Sequence, residues 1–401
     1  MDAELALVAA CARPLADPVR LAAIGGAATS PIEADRVVAL AHRHRIEGFV
    51  AQGLAAAGIA FGAEAVARLG AGAAAARLQA LRNAGEELRV GQALAAAGID
   101  VLFLKGATIA MRAHGTLSLK TSWDVDVLVA RQRLETAGEV LVSLGYRLQV
   151  FGGIEDPVRV RRFLAAHKEA EWHHPERGTV VELHTELNDN PAALPSVGLS
   201  SPRQMVELMP GRALPTLATA PLFAYLAYHG TSHLWGRLKW LADVAALLRN
   251  EDVARLHTEA VALGAGRTPG VAISLAHELL GLDVPAALLA TIRADRGTRR
   301  LLAYSHAAIA AAQDDKGRLN RPFSELVAYA RAQGWLVPGL AHRWHAARSF
   351  VTRPYVAAHL RAPRWALPFA ILGTLPIRLL LRPARLRRER LQAGGKTASS
   401  P

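Results

Sequence analysis

Asp124 and Asp126 are the residues with the most chemistry in them, in the run Ser122-Trp123-Asp124-Val125-Asp126-Val127-Leu128-Val129. On a strand, positions i and i+2 point to the same side. The two carboxylates are then neighbours, and Val125 and Val127 face a core. Two like charges this close repel and titrate anomalously unless a cation sits between them. A hard divalent ion such as Mg²⁺ suits paired oxygen ligands and completes its shell with water or substrate phosphates. Taken alone, an Asp-x-Asp pair is more often the solvent side of an edge strand.

Three further features favour a site. Lys105-Gly106 ends an apolar run and begins a short helix, where free backbone N–H groups and the helix dipole favour phosphate. Glu182, in Val180-Val181-Glu182-Leu183-His184, shares a strand face with His184. A third carboxylate on an adjacent strand would complete a metal-binding triad. Lys120, four residues before Asp124, can pair with phosphate or with the carboxylates. Each has a plainer reading: a turn, a sheet-surface pair, a solvated lysine. Their combination over one short stretch is the argument.

These residues need a small sheet to hold them. Residues 99–104 form a short apolar run that reads as a buried strand, 108–113 a short helix, 115–122 a polar loop and 123–129 an alternating strand. A helix over 132–144, closed by Gly145, leads to a strand at 146–150. Residues 169–174 and 179–187 flank Pro175-Glu176-Arg177-Gly178 and form a hairpin. Before this core the chain is Ala/Leu/Arg-rich, with helices expected at 3–12, 33–46 and 62–98, the last broken near Gly70 and Gly72. After it, Pro195, Pro202, Pro210 and Pro215 lead into helices at 219–233, 237–249, 251–263, 268–281, 284–292, 297–313 and 320–333. The expected fold is α+β and mostly α: a helical region at 1–95, a small mixed-sheet core at 96–190, a helical domain at 191–335 and a basic helical tail at 336–401.

The runs Leu104-Lys105-Gly106-Ala107, Asp124-Val125-Asp126-Val127-Leu128-Val129, Leu144-Gly145-Tyr146 and Val181-Glu182-Leu183-His184 together resemble the uncharacterised nucleotidyltransferase family of the DNA polymerase beta-like superfamily. The resemblance covers roughly 95–250 and extends to the stretch holding His229, His233, Arg237, Leu238, Lys239, Trp240 and Asp243. It implies a small mixed sheet whose Asp124 and Asp126 bind Mg²⁺, with Glu182 as the third carboxylate, and Lys105-Gly106 in the place of a phosphate-holding Gly-Ser turn. Lys105, Gly106, Lys120 and His184 would border the nucleotide. The implied reaction moves NMP from an NTP to a hydroxyl of an unidentified acceptor (small molecule, sugar, peptide or RNA), with two Mg²⁺ ions and pyrophosphate leaving. The sequence departs from the family's usual pattern at Trp123, where a small serine is common, and at Lys120, where arginine is common. A non-catalytic nucleotide- or partner-binding module that retains the fold is the alternative.

Other constellations are weaker. His229 and His233 are four apart in an expected helix, with Asp243 in the next, which permits a zinc site, a polar lining of the cleft, or packing against Trp235 and Trp240. Gly-x-Ser-x-Gly, P-loop and GxGxxG patterns are absent, so serine hydrolase, P-loop NTPase and Rossmann dehydrogenase fit poorly. A single cysteine, Cys11, excludes an internal disulfide framework and a cysteine-built zinc site. Of the net charge of +13, residues 341–401 carry 12 Lys/Arg against Glu389, so the remainder is nearly neutral and does not read as a nucleic-acid-binding surface. The tail could contact anionic lipid or nucleic acid, or simply solubilise the chain. The start of the chain lacks the basic segment of a secretion signal, and Trp365–Leu381 is broken by prolines and an arginine. The expectation is a cytoplasmic protein, with peripheral contact at the inner membrane face as the alternative.

Overall fold

The computed structural model describes residues 2–149, 160, 161, 164, 167–311 and 323–352. The chain begins with helices α1 (Ala3–Cys11), α2 (Arg20–Ala27), α3 (Ala34–His44), α4 (Glu47–Ala56) and α5 (Ala63–Ala96). The core follows as β1 (Val101–Phe103), α6 (Ala107–His114), β2 (Asp124–Val129), α7 (Leu134–Ser143), β3 (Arg147–Gln149), β4 (Glu169–His174) and β5 (Thr179–His184). A hairpin, β6 (Arg203–Met209) and β7 (Arg212–Leu217), precedes α8 (Thr219–Ser232), α9 (Leu238–Leu248), α10 (Val253–Ala260) and α11 (Thr268–Leu280). Helices α12 (Ala286–Ala294), α13 (Arg296–Ala310), α14 (Phe323–Gln333) and α15 (Leu340–Thr352) complete the described chain. The protein is α+β and mostly helical, as its sequence reads.

Five strands make one mixed sheet in the order β1-β2-β5-β4-β3. Among the described residues β2 and β5 run parallel, and the other neighbours are antiparallel. The odd-numbered positions of β2 and β5 (Val125, Val127, Val129, Val181, Leu183) pack with Ala170 and Trp172 of β4 and with Val90 and Leu94 of α5 into one apolar cluster. The parity of each strand turns its even positions to the other face. There Leu102, Leu104 and Leu128 join a second cluster, built from α1–α4 and from α8–α11 and later helices. The polar residues of β2 and β5 therefore lie between the sheet and the helices.

Three differences from the sequence reading have physical causes. Helix α5 runs unbroken through Gly70 and Gly72, because two glycines cost only about 1 kcal/mol each in an Ala-, Leu- and Arg-rich helix that buries one face. Helices α2 and α4 lie in stretches for which the sequence offers no expectation, each too short to show a regular apolar spacing. Gly48 on α4 is required by contact: a Cβ there would strike the backbone of Ser118 and Leu119, and the Phe49 N–H donates to the Leu119 carbonyl at 3.2 Å. The hairpin β6–β7 was read as a proline-punctuated approach, whereas Pro210-Gly211 is its turn, with Gly211 at φ +73°. Among the described residues no helix is long and apolar enough to cross a membrane. The basic cluster at 382–390 and the apolar run at 365–381 lie outside the described residues.

Candidate active site

Strand register assembles the acidic group. In the parallel β2–β5 pair, Asp126 lies opposite Glu182 and Leu128 opposite His184. The antiparallel β4 sets Glu169 beside His184. One ligand atom each from Asp126, Glu182 and His184 lie within 4.8 Å of one another. This is well inside the roughly 10 Å that would stop them sharing an ion with ligand distances near 2 Å. Asp124 shares the strand face two residues earlier, half-buried at the start of β2 and outside that compact trio.

The charges of the group are strongly interdependent. Asp126 Oδ1 is 2.8 Å from Lys105 Nζ and 3.0 Å from His184 Nε2, while Oδ2 is buried without a hydrogen-bond partner. His184 Nε2 is also 3.4 Å from Glu182 Oε2, and its Nδ1 is 3.3 Å from Glu169 Oε2. Burial alone would raise the Asp126 carboxyl, but Lys105 and His184 outweigh it and hold the group well below the usual carboxylate range. Asp124 is raised by burial and then by the charge of Asp126. Glu182 is raised by burial, and the two aspartates add to this against the His184 hydrogen bond. Burial opposes the imidazolium of His184, yet Asp126 and Glu182 push its pKa up to about 8.

Lys105 and His184 do not fully offset the buried carboxyls of the group. Two of its carboxyls resist ionising, and a third keeps an orphaned oxygen in the interior. Carboxylate oxygens of Asp126 and Glu182 with the imidazole of His184 could hold a divalent cation, and Asp124 two residues earlier on the same face offers a further oxygen donor. The donor set of Asp126, Glu182 and His184 is thus of a kind that could hold a divalent metal ion.

The expected nucleotide-bordering residues divide. Lys105 and His184 join the acidic group directly. Gly106 adopts φ +75° at the start of α6, a backbone shape that disfavours any side chain, and a Cβ there would run into Glu87 Oε1. Glu87 reaches this turn from α5, and its Oε1 accepts from the Ala107 N–H at 2.8 Å. A protein carboxylate thus already sits where an anion was expected. Lys120 turns away from the strand aspartates: its Nζ is 2.6 Å from Asp243 Oδ1 on α9, which also lies 2.9 Å from His114 Nε2. The Lys120–Asp243 pair is buried.

His229 and His233 pack against one another and against Trp240 in tilted and edge-on contacts, with ring centroids 4.7 to 5.4 Å apart. Asp243 serves Lys120 and His114, so the three residues of the zinc reading do not form a ligand group. Both imidazoles pack against Trp240.

Glu87 was missed in the sequence, where a Glu86-Glu87 pair in a long helix reads as solvated. Burial, opposed by the Ala107 N–H, pushes its pKa up to about 8. A carboxyl with a raised folded-state pKa favours the fold below its unfolded value, near 4.5, and loses that advantage as pH rises through the folded value. Glu87→Gln should therefore gain stability relative to the wild type between pH 5 and pH 8.5, read from urea midpoints at both. A difference that stays constant across this range would contradict the assignment. Lys239 of α9 is a second unassigned residue. Burial, then the nearby Arg45, pushes its ammonium down to about 7, and it donates to the Thr121 carbonyl at 3.0 Å.

A comparison with curated proteins finds no match to the chain. The family model described as an uncharacterised nucleotidyltransferase matches residues 30–281, from just before α3 to the end of α11, wider on both sides than the resemblance read from the motifs. That stretch covers more than half of the protein and contains every residue of the acidic group, so the chain belongs to this uncharacterised nucleotidyltransferase family.

Proposed function

We propose that the protein transfers a nucleoside monophosphate from an NTP to a hydroxyl of an acceptor molecule, in a Mg²⁺-dependent reaction at the β2–β5 carboxylates. The observation that carries this reading is the convergence of Asp126, Glu182 and His184 within 4.8 Å, with Asp126 Oδ2 buried and unpartnered, in a member of a nucleotidyltransferase family. Asp124, Asp126 and Glu182 would hold the metal. When bound, it would neutralise triphosphate charge and lower the pKa of the attacking hydroxyl.

The chain's own residues supply the rest. Lys105, 2.8 Å from Asp126, is a cation at the place where phosphate charge would accumulate, and it would bind a phosphate oxygen. His184, braced between Asp126 and Glu182, keeps the two carboxylates at fixed separation. The acceptor oxygen would attack the α-phosphorus in line, its proton passing to solvent, while the bond to the β-phosphate breaks and pyrophosphate leaves. Positioning and charge stabilisation account for most of the rate, and no dedicated base is assigned.

A second reading has one observation in its favour. Glu87 occupies the Ala107 N–H, so the turn after Lys105 does not offer that donor to a phosphate. A binding module that retains the fold would need no such donor.

Incubation with each α-labelled NTP, Mg²⁺ and a cell extract separates the two. The enzyme reading expects label to move from at least one NTP onto an acceptor, and EDTA to stop it. Tight, metal-independent NTP binding with no transfer from any nucleotide would favour the module and end the enzyme reading.

A further inference from the structure

Trp123 is out of place for an ordinary surface residue. It immediately precedes Asp124, so the two Cα atoms lie about 3.8 Å apart. It is 53% exposed. Single exposed apolar side chains are common and need no explanation by themselves. This one is held in place beside the acidic group, and its surroundings are cationic.

The Arg45 guanidinium carbon lies 5.9 Å from the centroid of the Trp123 ring, within cation–π range. Arg45 ends α3 in the left-handed region at φ +56°, which is uncommon for a residue with a side chain. Its charge is felt by both Asp124 and Lys239. The ring therefore rests on a cation whose charge also reaches Asp124.

The segment that carries the ring is anchored from three elements. The Thr121 N–H donates to the Arg45 carbonyl at 3.3 Å, and Lys239 Nζ donates to the Thr121 carbonyl at 3.0 Å. Asn83 of α5 donates to the Ser122 carbonyl at 3.0 Å. An indole on so fixed a stem loses little conformational freedom when a flat ligand stacks on it.

We propose that Trp123 is the stacking platform for the nucleobase of the NTP, with Arg45 over one face of the ring and the other face offered to the base. The inference rests on the proposed function and adds the determinant by which this chain holds the nucleoside. Because every base has a π-face, the platform raises affinity for all four nucleotides, most for purines.

Calorimetry with Mg²⁺ compares the four NTPs with inorganic tripolyphosphate, which has the charge and no base. In the wild type the best-bound NTP should exceed tripolyphosphate by roughly tenfold or more. Trp123→Ala should erase that advantage and leave tripolyphosphate affinity unchanged, which also shows that the variant is folded. Trp123→Phe should retain most of it. Trp123→Ala binding NTP as tightly as the wild type, or a wild type that binds tripolyphosphate as tightly as any NTP, would overturn the platform and leave the proposed function standing. A wild type that binds no NTP would overturn both.

Discussion

Asp124→Asn is expected to lower nucleotidyl transfer about a thousandfold or more while leaving the metal-free protein as stable as the wild type, or slightly more so. The activity loss follows from removing a ligand oxygen whose metal contributes several kcal/mol of charge stabilisation in the transition state. The stability result follows from the electrostatics. Burial and the charge of Asp126 raise the Asp124 carboxyl, so ionising it works against the fold. Asn relieves that repulsion in a half-buried position.

Asp126→Asn should lose as much activity but behave differently without metal. Asp126 is the counter-charge of Lys105 and His184. Its loss leaves Lys105 short of a partner, at a cost on the order of 3 kcal/mol, and allows His184 to release its proton. The two aspartates are thus chemically alike and structurally opposite, which a denaturation curve for each variant would reveal. Equal stability losses, or full activity in either variant, would contradict the account.

The second large effect is expected at Asp243. Its carboxylate lies between Lys120 Nζ and His114 Nε2, all three side chains being buried. Burial opposes the Asp243 charge, and Lys120 and His114 reverse this and lower its pKa. Asp243→Ala strands the Lys120 ammonium in the interior and should cost roughly 3–5 kcal/mol in chemical denaturation. The double variant Asp243→Leu, Lys120→Met removes both charges and should recover much of that loss, because an apolar pair of similar volume replaces a buried ion pair at little net cost.

The sign of the pH dependence is also fixed. A carboxylate with a depressed folded pKa contributes stability above its unfolded value, near 3.8, and loses it as pH falls through the folded value. The wild type should therefore lose this contribution in acid, and the double variant should not. Since Lys120 anchors the loop entering β2, Asp243→Ala is also expected to reduce transfer without touching a metal ligand.

The acidic site could be read in the sequence because its logic is local. Alternation places Asp124 with Asp126 and Glu182 with His184, and strand pairing then aligns the two strands, with Asp126 opposite Glu182. The helices could likewise be read wherever apolar spacing was regular. What stayed hidden depends on partners remote in the chain. Nothing near Lys120 indicates that its counter-ion is 123 residues away. Nothing around Glu87 signals that it caps a helix 20 residues further on. Arg45 and Trp123 are remote in the chain and meet only where the end of α3 packs on the loop before β2, held by the Thr121 N–H donating to the Arg45 carbonyl. The hairpin β6–β7 was hidden differently: its prolines suggested a loop, although Pro210-Gly211 is itself a strong turn signal.

The central claim is that carboxylates from two strands form a single pocket for a divalent cation. Titration of Mn²⁺ into the metal-free wild type, Asp124→Asn and Glu182→Gln, followed by calorimetry at pH 8.5 where His184 is mostly neutral, tests it directly. The account predicts saturable binding in the wild type and an affinity at least about tenfold weaker in each variant, since each removes one ligand oxygen. No saturable binding in the wild type, or equal affinity in all three proteins, would contradict it.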